Sequence, residues 1–273
     1  MNRWVRPLLL HAALVAGVVA ILAPLLWMVG VSLMPTGASQ VEPPPLLPKQ
    51  PTLEQYRQLF LRLNLARALG NSLLVSLGAT LCAVVCNGLA GYAFACLRFR
   101  GRDRLFAALL LLLLIPGQVA ILPLFLLLRT LGLTNTLVGV ALPSFASVFG
   151  IFMVRQYALS IPQELLEAAR VDGASEGRIA LQVVFPLLRP VLVTLAAFTF
   201  VGTWNDFLWP LVVLSDERWY TLPVALATLA GEHTHDAELM MAGAVMTMAP
   251  VLLVFAFLQR HYIRGLTLGG VKE

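Results

Sequence analysis

Side chains able to do chemistry are few in this sequence, and they are scattered. His233 and His235 stand two apart in Glu232-His-Thr-His-Asp236, the one run that offers several metal-ligand types. A metal site needs three or four ligands held by a scaffold. No further ligands are indicated here, so the run reads as a hydrophilic loop and no metal is expected. His11, near the inner end of the first run, reads as interfacial, and His261, just past the last run, points to nothing specific. No phosphate loop of the GxxxxGK[ST] kind occurs, and no Ser–His–Asp or Cys–His set with a supporting scaffold stands out. Cys82, Cys86 and Cys96 fall in or at the end of one apolar run. They read as small buried hydrophobes, not as disulfides or nucleophiles. The chain is expected to be no enzyme and to bind no cofactor of its own.

Two acidic features remain. Asp206 is the only acid deep in an apolar run, a default functional position in a membrane helix. It lies about 30 Å along the helix from Pro186, near an interface and not at the midplane. It admits two readings: a hydrated interfacial acid bonded to a neighbouring helix, or part of a solute path with Trp204 and Asn205. The second feature is the polar segment at residues 160–186. It belongs to a stretch, 155–189, in which four acids stand against four bases.

The elements that must hold these groups follow from composition. Hydrophobic residues make up 59% of the 273 and charged residues 12%, with mean hydropathy +0.84. Soluble domains carry about 25% charge, so both a water-facing globule and a disordered chain are excluded. Apolar runs predict an all-α, polytopic membrane protein with six transmembrane helices at about 8–34, 71–97, 105–128, 130–154, 187–213 and 239–258. The whole chain reads as one transmembrane domain. The first run follows Arg3 and Arg6, as a secretory signal would. Its length exceeds the 7–15 residues of a signal core, so an uncleaved span is expected. Thr221–Gly231 is too short to span and reads as interfacial or re-entrant.

Basic residues set the orientation. Thirteen fall on one side: Arg3 and Arg6, Arg98 to Arg104, Arg155 to Arg189, and the tail with Arg260, Arg264 and Lys272. Six fall on the other: Lys49, Arg57, Arg62, Arg67, Arg129 and Arg218. The positive-inside rule then puts both termini in the cytoplasm. The net charge of +5 is thus topological, and nucleic acid is not an expected partner. Trp27, about 28 Å into the first run, and the cluster Trp204, Trp209 and Trp219 suit the outer interface.

The 160–186 loop carries its own local signals. Pro162 with Glu164 and Glu167 marks a helix start, and Ser160 could cap it. Leu165, Ala168, Ala169 and Val171 supply an apolar face, and Gly173 ends the helix. A second helix is expected from about Ala174, with Ile179, Leu181, Val183 and Val184 apolar, until Pro186 stops it. A membrane-anchoring helix would be rich in Lys and Arg; this loop is balanced, and its shape suits an external groove.

Glu167-Ala168-Ala169, then Gly173 after three residues, then an apolar pair before Pro186, resembles the EAA loop of ABC importer permeases. Val183 and Phe185 stand where that family prefers Ile and Leu. Asp172 beside Gly173, Thr52 to Tyr56, Asn71-Ser72, Tyr92 to Arg104, Trp204-Asn-Asp-Phe207 and the tail Arg264 to Lys272 look like the carbohydrate, maltose-type subfamily. The resemblance implies a type I importer permease in the inner (plasma) membrane. It also implies a second homologous permease subunit, two cytoplasmic ATPase subunits that use the ATP, and an extracytoplasmic sugar-binding protein. Glu167 would make the docking contact, Ala168 and Ala169 would keep that face thin, and Gly173 would set the turn. Whether Trp204, Asn205 and Asp206 line the sugar path, or Asp206 is only a hydrated interfacial acid, the resemblance leaves open. The tail at Arg264, Gly265 and Lys272 would reach the ATPase subunits, its glycines disfavouring a helix. The alternative, a secondary transporter or channel without ATPase subunits, has no midplane acid or base for ion coupling.

Overall fold

The structure, a computed structural model, describes residues 5–41, 43, 45–62, 64–232 and 236–268, with side chains over 9–231 and 236–257 of these. All regular structure among the described residues is helical. In chain order the helices are α1 Val5–Ser32, α2 Glu54–Arg62, α3 Leu65–Cys96, α4 Arg102–Leu111, α5 Ile121–Thr130, α6 Leu137–Ala141 and α7 Val148–Ala158. There follow α8 Gln163–Val171, α9 Glu176–Leu187, α10 Arg189–Trp204, α11 Leu208–Val213, α12 Leu222–Glu232 and α13 Ala237–Leu268.

Three stretches are long and apolar enough to cross a membrane unaided: Leu9–Ser32, Leu65–Cys96 and Ala237–Phe257. Up to six spans result if three bent helix pairs each count as one. The expected third span, 105–128, is not a rod: Arg102–Leu114 and Gly117–Thr130 meet at 97°. The cause is Pro116, which drives the preceding Ile115 into extended backbone at ψ 119°. The expected fourth span, 130–154, starts late, at Leu137, because Gly132 and Asn135 take left-handed φ of 69° and 58°. Leu137–Ser144 and Val148–Ala158 then bend by 42°. The expected fifth span, 187–213, is helical only to Trp204 before a break and α11. At its other end it meets α9 at 79°. The last helix runs on through Gly265 to Leu268, against the expectation from the tail glycines. One glycine costs about 1 kcal/mol in a helix interior, too little to end a helix this long.

The chain divides into two compact units. The first comprises residues 1–67 and 225–250. In it the segment after α1 is stitched by side chains: Gln55 Nε2 donates to Met34 O at 3.2 Å and to Thr36 Oγ1 at 3.1 Å. The Ser32 and Tyr56 hydroxyls meet at 2.8 Å, and Ser39 N–H donates to buried Glu238 Oε1 at 2.7 Å. Most of α1 faces outward: only 11% of its most apolar window is buried. That leaves the face for lipid or a partner.

The second unit comprises residues 68–224 and 251–273. One of its cores gathers Tyr92, Cys96, Val154, Leu166, Ile179 and Leu192; another gathers Val75, Leu128, Val140, Trp209 and Val213. At Gly91 a Cβ would lie 2.5 Å from Val154 Cγ1 and 3.0 Å from the Arg155 amide nitrogen. The bare backbone of α3 therefore packs against Val154 and the Arg155 amide of α7, an approach that only glycine permits. Arg155 braces the same end, with Nε donating to Phe94 O at 3.2 Å and its guanidinium 4.1 Å over the Phe106 ring. The cysteines differ from expectation: Cys96 is buried, Cys82 half-buried and Cys86 exposed, and all three are free. Cys86 sits on an apolar outer face of α3, where a small thiol needs no core.

The break before α7 shows how bent spans are made tolerable. Backbone groups in a bilayer must find partners inside the protein. Buried Asn87 supplies them: its Oδ1 accepts from Ser147 N–H at 2.8 Å, while Nδ2 donates to Ala83 O at 2.7 Å. Ser147 Oγ then caps α7 by accepting from Gly150 N–H at 3.0 Å. Asn87→Leu should leave the Ser147 amide unpaired and lower stability by about 1–2 kcal/mol. Denaturant unfolding in detergent measures this, and an unchanged midpoint would contradict the role.

Candidate functional site

The polar loop between α7 and α10 folds into a helical hairpin. After α7 the chain turns at Ser160, whose Oγ donates to Tyr157 O at 2.7 Å. Ser160 is thus occupied and does not cap α8; Pro162 holds the cap position without a side-chain bond. Glu164 lies in the first turn, where the helix dipole favours an acid. At the far end Asp172 closes the helix and Gly173 takes φ +82°. Gly173 N–H donates to Arg170 O and Ala174 N–H to Ala169 O, both at 3.0 Å. Those two bonds satisfy the terminal carbonyls in the Schellman manner. A φ near +80° is open to glycine and strained for other residues.

The second arm, α9, begins with Ser175, whose Oγ accepts from Arg178 N–H at 3.4 Å. It widens into a π-helical segment over Ile179–Val184 and continues through Pro186 to Leu187. Pro186 was expected to stop this helix. A proline ring crowds the carbonyl four residues back, and the widened turns give it room.

The hairpin has an inward and an outward face, and the expected division between them needs correction. Leu166 is 0% exposed and anchors α8 in a core with Ile161, Ile179 and Val184, with Ala169 and Ala174 packed against it. Leu165 and Val171, expected on the apolar face, point outward, and Val171 is 87% exposed. Leu181 is likewise exposed. Leu165 and Leu166 are adjacent, so periodicity could favour either one. Glu167, Ala168, Asp172 and Gly173 are all exposed. The outward surface therefore mixes acids, a thin alanine and bare apolar groups.

A polar cluster at the hairpin's root escaped the sequence reading. Arg170 Nε donates to Glu176 Oε1 at 2.7 Å, and its Nη2 to Oε2 at 3.4 Å. The hydroxyl of Tyr92, buried near the end of α3, donates to the same Oε2 at 2.8 Å. The Arg170 guanidinium and then the Tyr92 hydroxyl hold the Glu176 carboxyl below the usual carboxylate range. The six-residue separation of Arg170 and Glu176 spans a turn, which is why helix periodicity does not announce the pair.

Trp204, Asn205 and Asp206 do not form a common lining. Trp204 is 1% exposed, with its ring stacked on Phe200 at 5.8 Å. Asn205 Nδ2 donates back to Val201 O at 3.0 Å. Asp206 Oδ1 accepts from Trp209 N–H at 3.4 Å, a cap for α11. A cavity of about 330 Å³ lies instead one turn away, lined by Ser144, Ser147, Thr199, Thr203, Phe149 and Phe198. The two phenyl rings there meet edge to face at 6.2 Å. The four-residue spacing of Thr199 and Thr203 in an otherwise apolar helix was the available signal. In the tail, Arg264 and Gly265 lie in α13 with side chains outside the described set, and Lys272 lies outside the described residues. His233 and His235 also lie outside them. Among the described residues no group of three or more metal-ligating side chains occurs.

The chain is thus all-helical among the described residues, with bent apolar spans and an amphipathic hairpin between two of them. A bacterial ABC transporter involved in import of the acidic polysaccharide alginate has a chain that superposes with TM-score 0.82 at 24% identity. The match covers 95% of this chain and 98% of that one. The family model for the binding-protein-dependent transport system inner membrane component matches residues 87–268, and the chain belongs to that family. Relatives include the arabinooligosaccharides transport system permease protein AraQ of Halalkalibacterium halodurans, 39% identical over 226 residues, 82% of this chain and 81% of that one. The trehalose transport system permease protein SugB of Mycobacterium tuberculosis is 36% identical over 255 residues, 92% of each chain. The protein is thus an inner-membrane transport permease subunit.

The hairpin's acid–base pair predicts a pH response. Because folding lowers the Glu176 pKa, its stabilisation is complete above the unfolded carboxylate value, about 4.3. It is lost as pH falls through the lower folded value. Hydrogen exchange at residues 170–178, corrected for intrinsic rates, should therefore rise on acidification below about pH 4. Glu176→Gln should abolish that dependence, and a variant that keeps it would refute the assignment.

Proposed function

We propose that this chain is one of two related permease subunits of a carbohydrate importer, moving a sugar or oligosaccharide inward by alternating access. Two cytoplasmic ATPase subunits dock beneath it and an extracytoplasmic binding protein delivers the solute. The sugars in the names of the curated relatives support the substrate class. Three helices and three bent pairs, with thirteen basic residues against six, support six spans with both termini cytoplasmic. The chain has no nucleotide site of its own under this reading, and ATP is consumed by its partners.

The observation that carries the proposal is the outward face of the hairpin. A surface valine 87% exposed beside Glu167 and Ala168, on an arm anchored from its other face by buried Leu166, has the make-up of a protein interface. In this reading Glu167 makes the polar contact in a cleft of the ATPase, Ala168 permits close approach while Ala169 packs inward against the core, and Asp172 and Gly173 hold the turn. Pro186 sits where α9 hands over to α10. Closure of the ATPase pair around ATP displaces the hairpin and with it the spans. For the solute, the hydroxyls and rings of the cavity at Ser144–Phe149 and Phe198–Thr203 supply hydrogen bonds and stacking, the two things a sugar needs. Trp204, Asn205 and Asp206 support that path as the joint above it. The tail from Arg264 through Gly265 to Lys272 is assigned to contact with the ATPase subunits.

Glu167→Lys and Gly173→Pro should each abolish ATP-driven uptake while membrane insertion stays normal. Co-purification of the ATPase subunits should fall with them, and removal of residues 264–273 in the same assay should weaken it. Normal co-purification and uptake in both point variants would overturn the docking role. Phe198→Ala should slow uptake about three- to tenfold by loss of a stacking ring, with assembly intact. Vesicle uptake of mono-, di- and trisaccharides reads this out, and an unchanged rate for every transported sugar would remove the cavity from the path.

A further inference from the structure

The hairpin is joined to the spans by two kinds of route. The covalent route into α10 passes through the π-helical turns of α9 and a 79° bend at residues 187–189. A widened helix followed by a sharp bend is a compliant connection, since its hydrogen-bond ladder is interrupted. The other route is lateral. Tyr92 reaches from α3 to Glu176 Oε2 at 2.8 Å, and Arg170 reaches from α8 to both oxygens of the same carboxylate. One carboxylate therefore joins α8, α9 and α3. Beneath it, Tyr92, Cys96, Leu166 and Ile179 share a core, so the polar clamp closes over packed apolar contact. Charge-assisted hydrogen bonds of this kind are about twice as strong as neutral ones and geometrically specific.

We propose that Glu176 is a positioning residue for energy coupling: through Tyr92 and Arg170 it binds the hairpin to the cytoplasmic end of α3. Displacement of the hairpin then moves α3 directly and not only the spans continuous with it. This rests on the docking reading above and extends it from where force enters to where force goes. Tyr92 Oη and the Glu176 carboxylate are the elements that transmit it. Arg170 keeps the carboxylate aligned, and the rest of the hairpin's outward face stays free for the partner.

The test uses the complete transporter in vesicles. Tyr92→Phe keeps the ring in the core and removes only the hydroxyl, and Glu176→Gln removes the charge. Both should leave ATPase subunits bound and hydrolysing ATP, while sugar imported per ATP falls about fivefold or more. Spin labels at Arg98, just past α3, and at exposed Gln163, at the start of α8 on the hairpin, give the second readout. Their separation should keep one narrow distribution with and without ATP in the unaltered protein and broaden in the variants. An unchanged sugar-to-ATP ratio with an unchanged distance distribution would overturn the proposal. So would loss of the ATPase subunits from Tyr92→Phe, since the hydroxyl would then belong to docking. Failure of the docking reading itself shows separately, as normal assembly of Glu167→Lys.

Discussion

Every bend in this molecule answers one constraint: a peptide group inside a bilayer has no water to bond to. An unbroken helix meets the demand automatically, as α3 does over its whole length. The chain nevertheless breaks its apolar runs near Pro116, at 145–147, at Leu188 and after Trp204, and each break needs its own device. Pro116 has no N–H to satisfy. At 145–147 the carboxamide of Asn87 reaches across from α3. After Trp204 the carboxamide of Asn205 turns back to Val201 O, and Asp206 caps the next helix. Asn87 and Asp206, polar residues inside apolar runs, thus each meet a backbone N–H that such a break exposes.

The same constraint explains why the polar hairpin differs so sharply from its surroundings. Outside the hydrocarbon region, backbone ends can be closed by ordinary turn chemistry, and Gly173 and Ser175 do so within three residues. Charges become affordable there as well. Arg170 and Glu176 form a pair that would be costly in the membrane and is weak as a stabiliser at an exposed surface. Its worth is geometric: it fixes which way α8 points relative to α9.

Much of this could be read from the residues alone, and what could not has identifiable causes. Charge-free runs and their flanking arginines locate the apolar helices, because hydropathy integrates over some twenty residues and tolerates local error. Gly173 as a left-handed turn and Pro162 at a helix start were legible because each depends on one residue's backbone preference. Bends of 97° and 79° were not legible, since membrane helices accept prolines when neighbours supply partners, and neighbours are invisible in sequence. Leu165 and Leu166 exchanged roles for a similar reason: two adjacent leucines give periodicity no grip. Tyr92 and Glu176 lie eighty-four positions apart, so only the fold introduces them.

Gly91 closes this geometry. Where α3 packs its bare backbone against Val154 and the Arg155 amide of α7, only a short, branched side chain lies between the helices, and it has little freedom to absorb a displacement. Tyr92, the next residue, holds the hairpin from one side, and α7 runs into the hairpin through Leu159 on the other. Three members joined at three points form a triangle, and a triangle, unlike a chain of hinges, does not shear. The missing methyl at residue 91 thus turns a loop hung between two helices into a braced frame. A frame can push as well as pull, so a displacement of either sign at the hairpin would reach α3 and α7 alike.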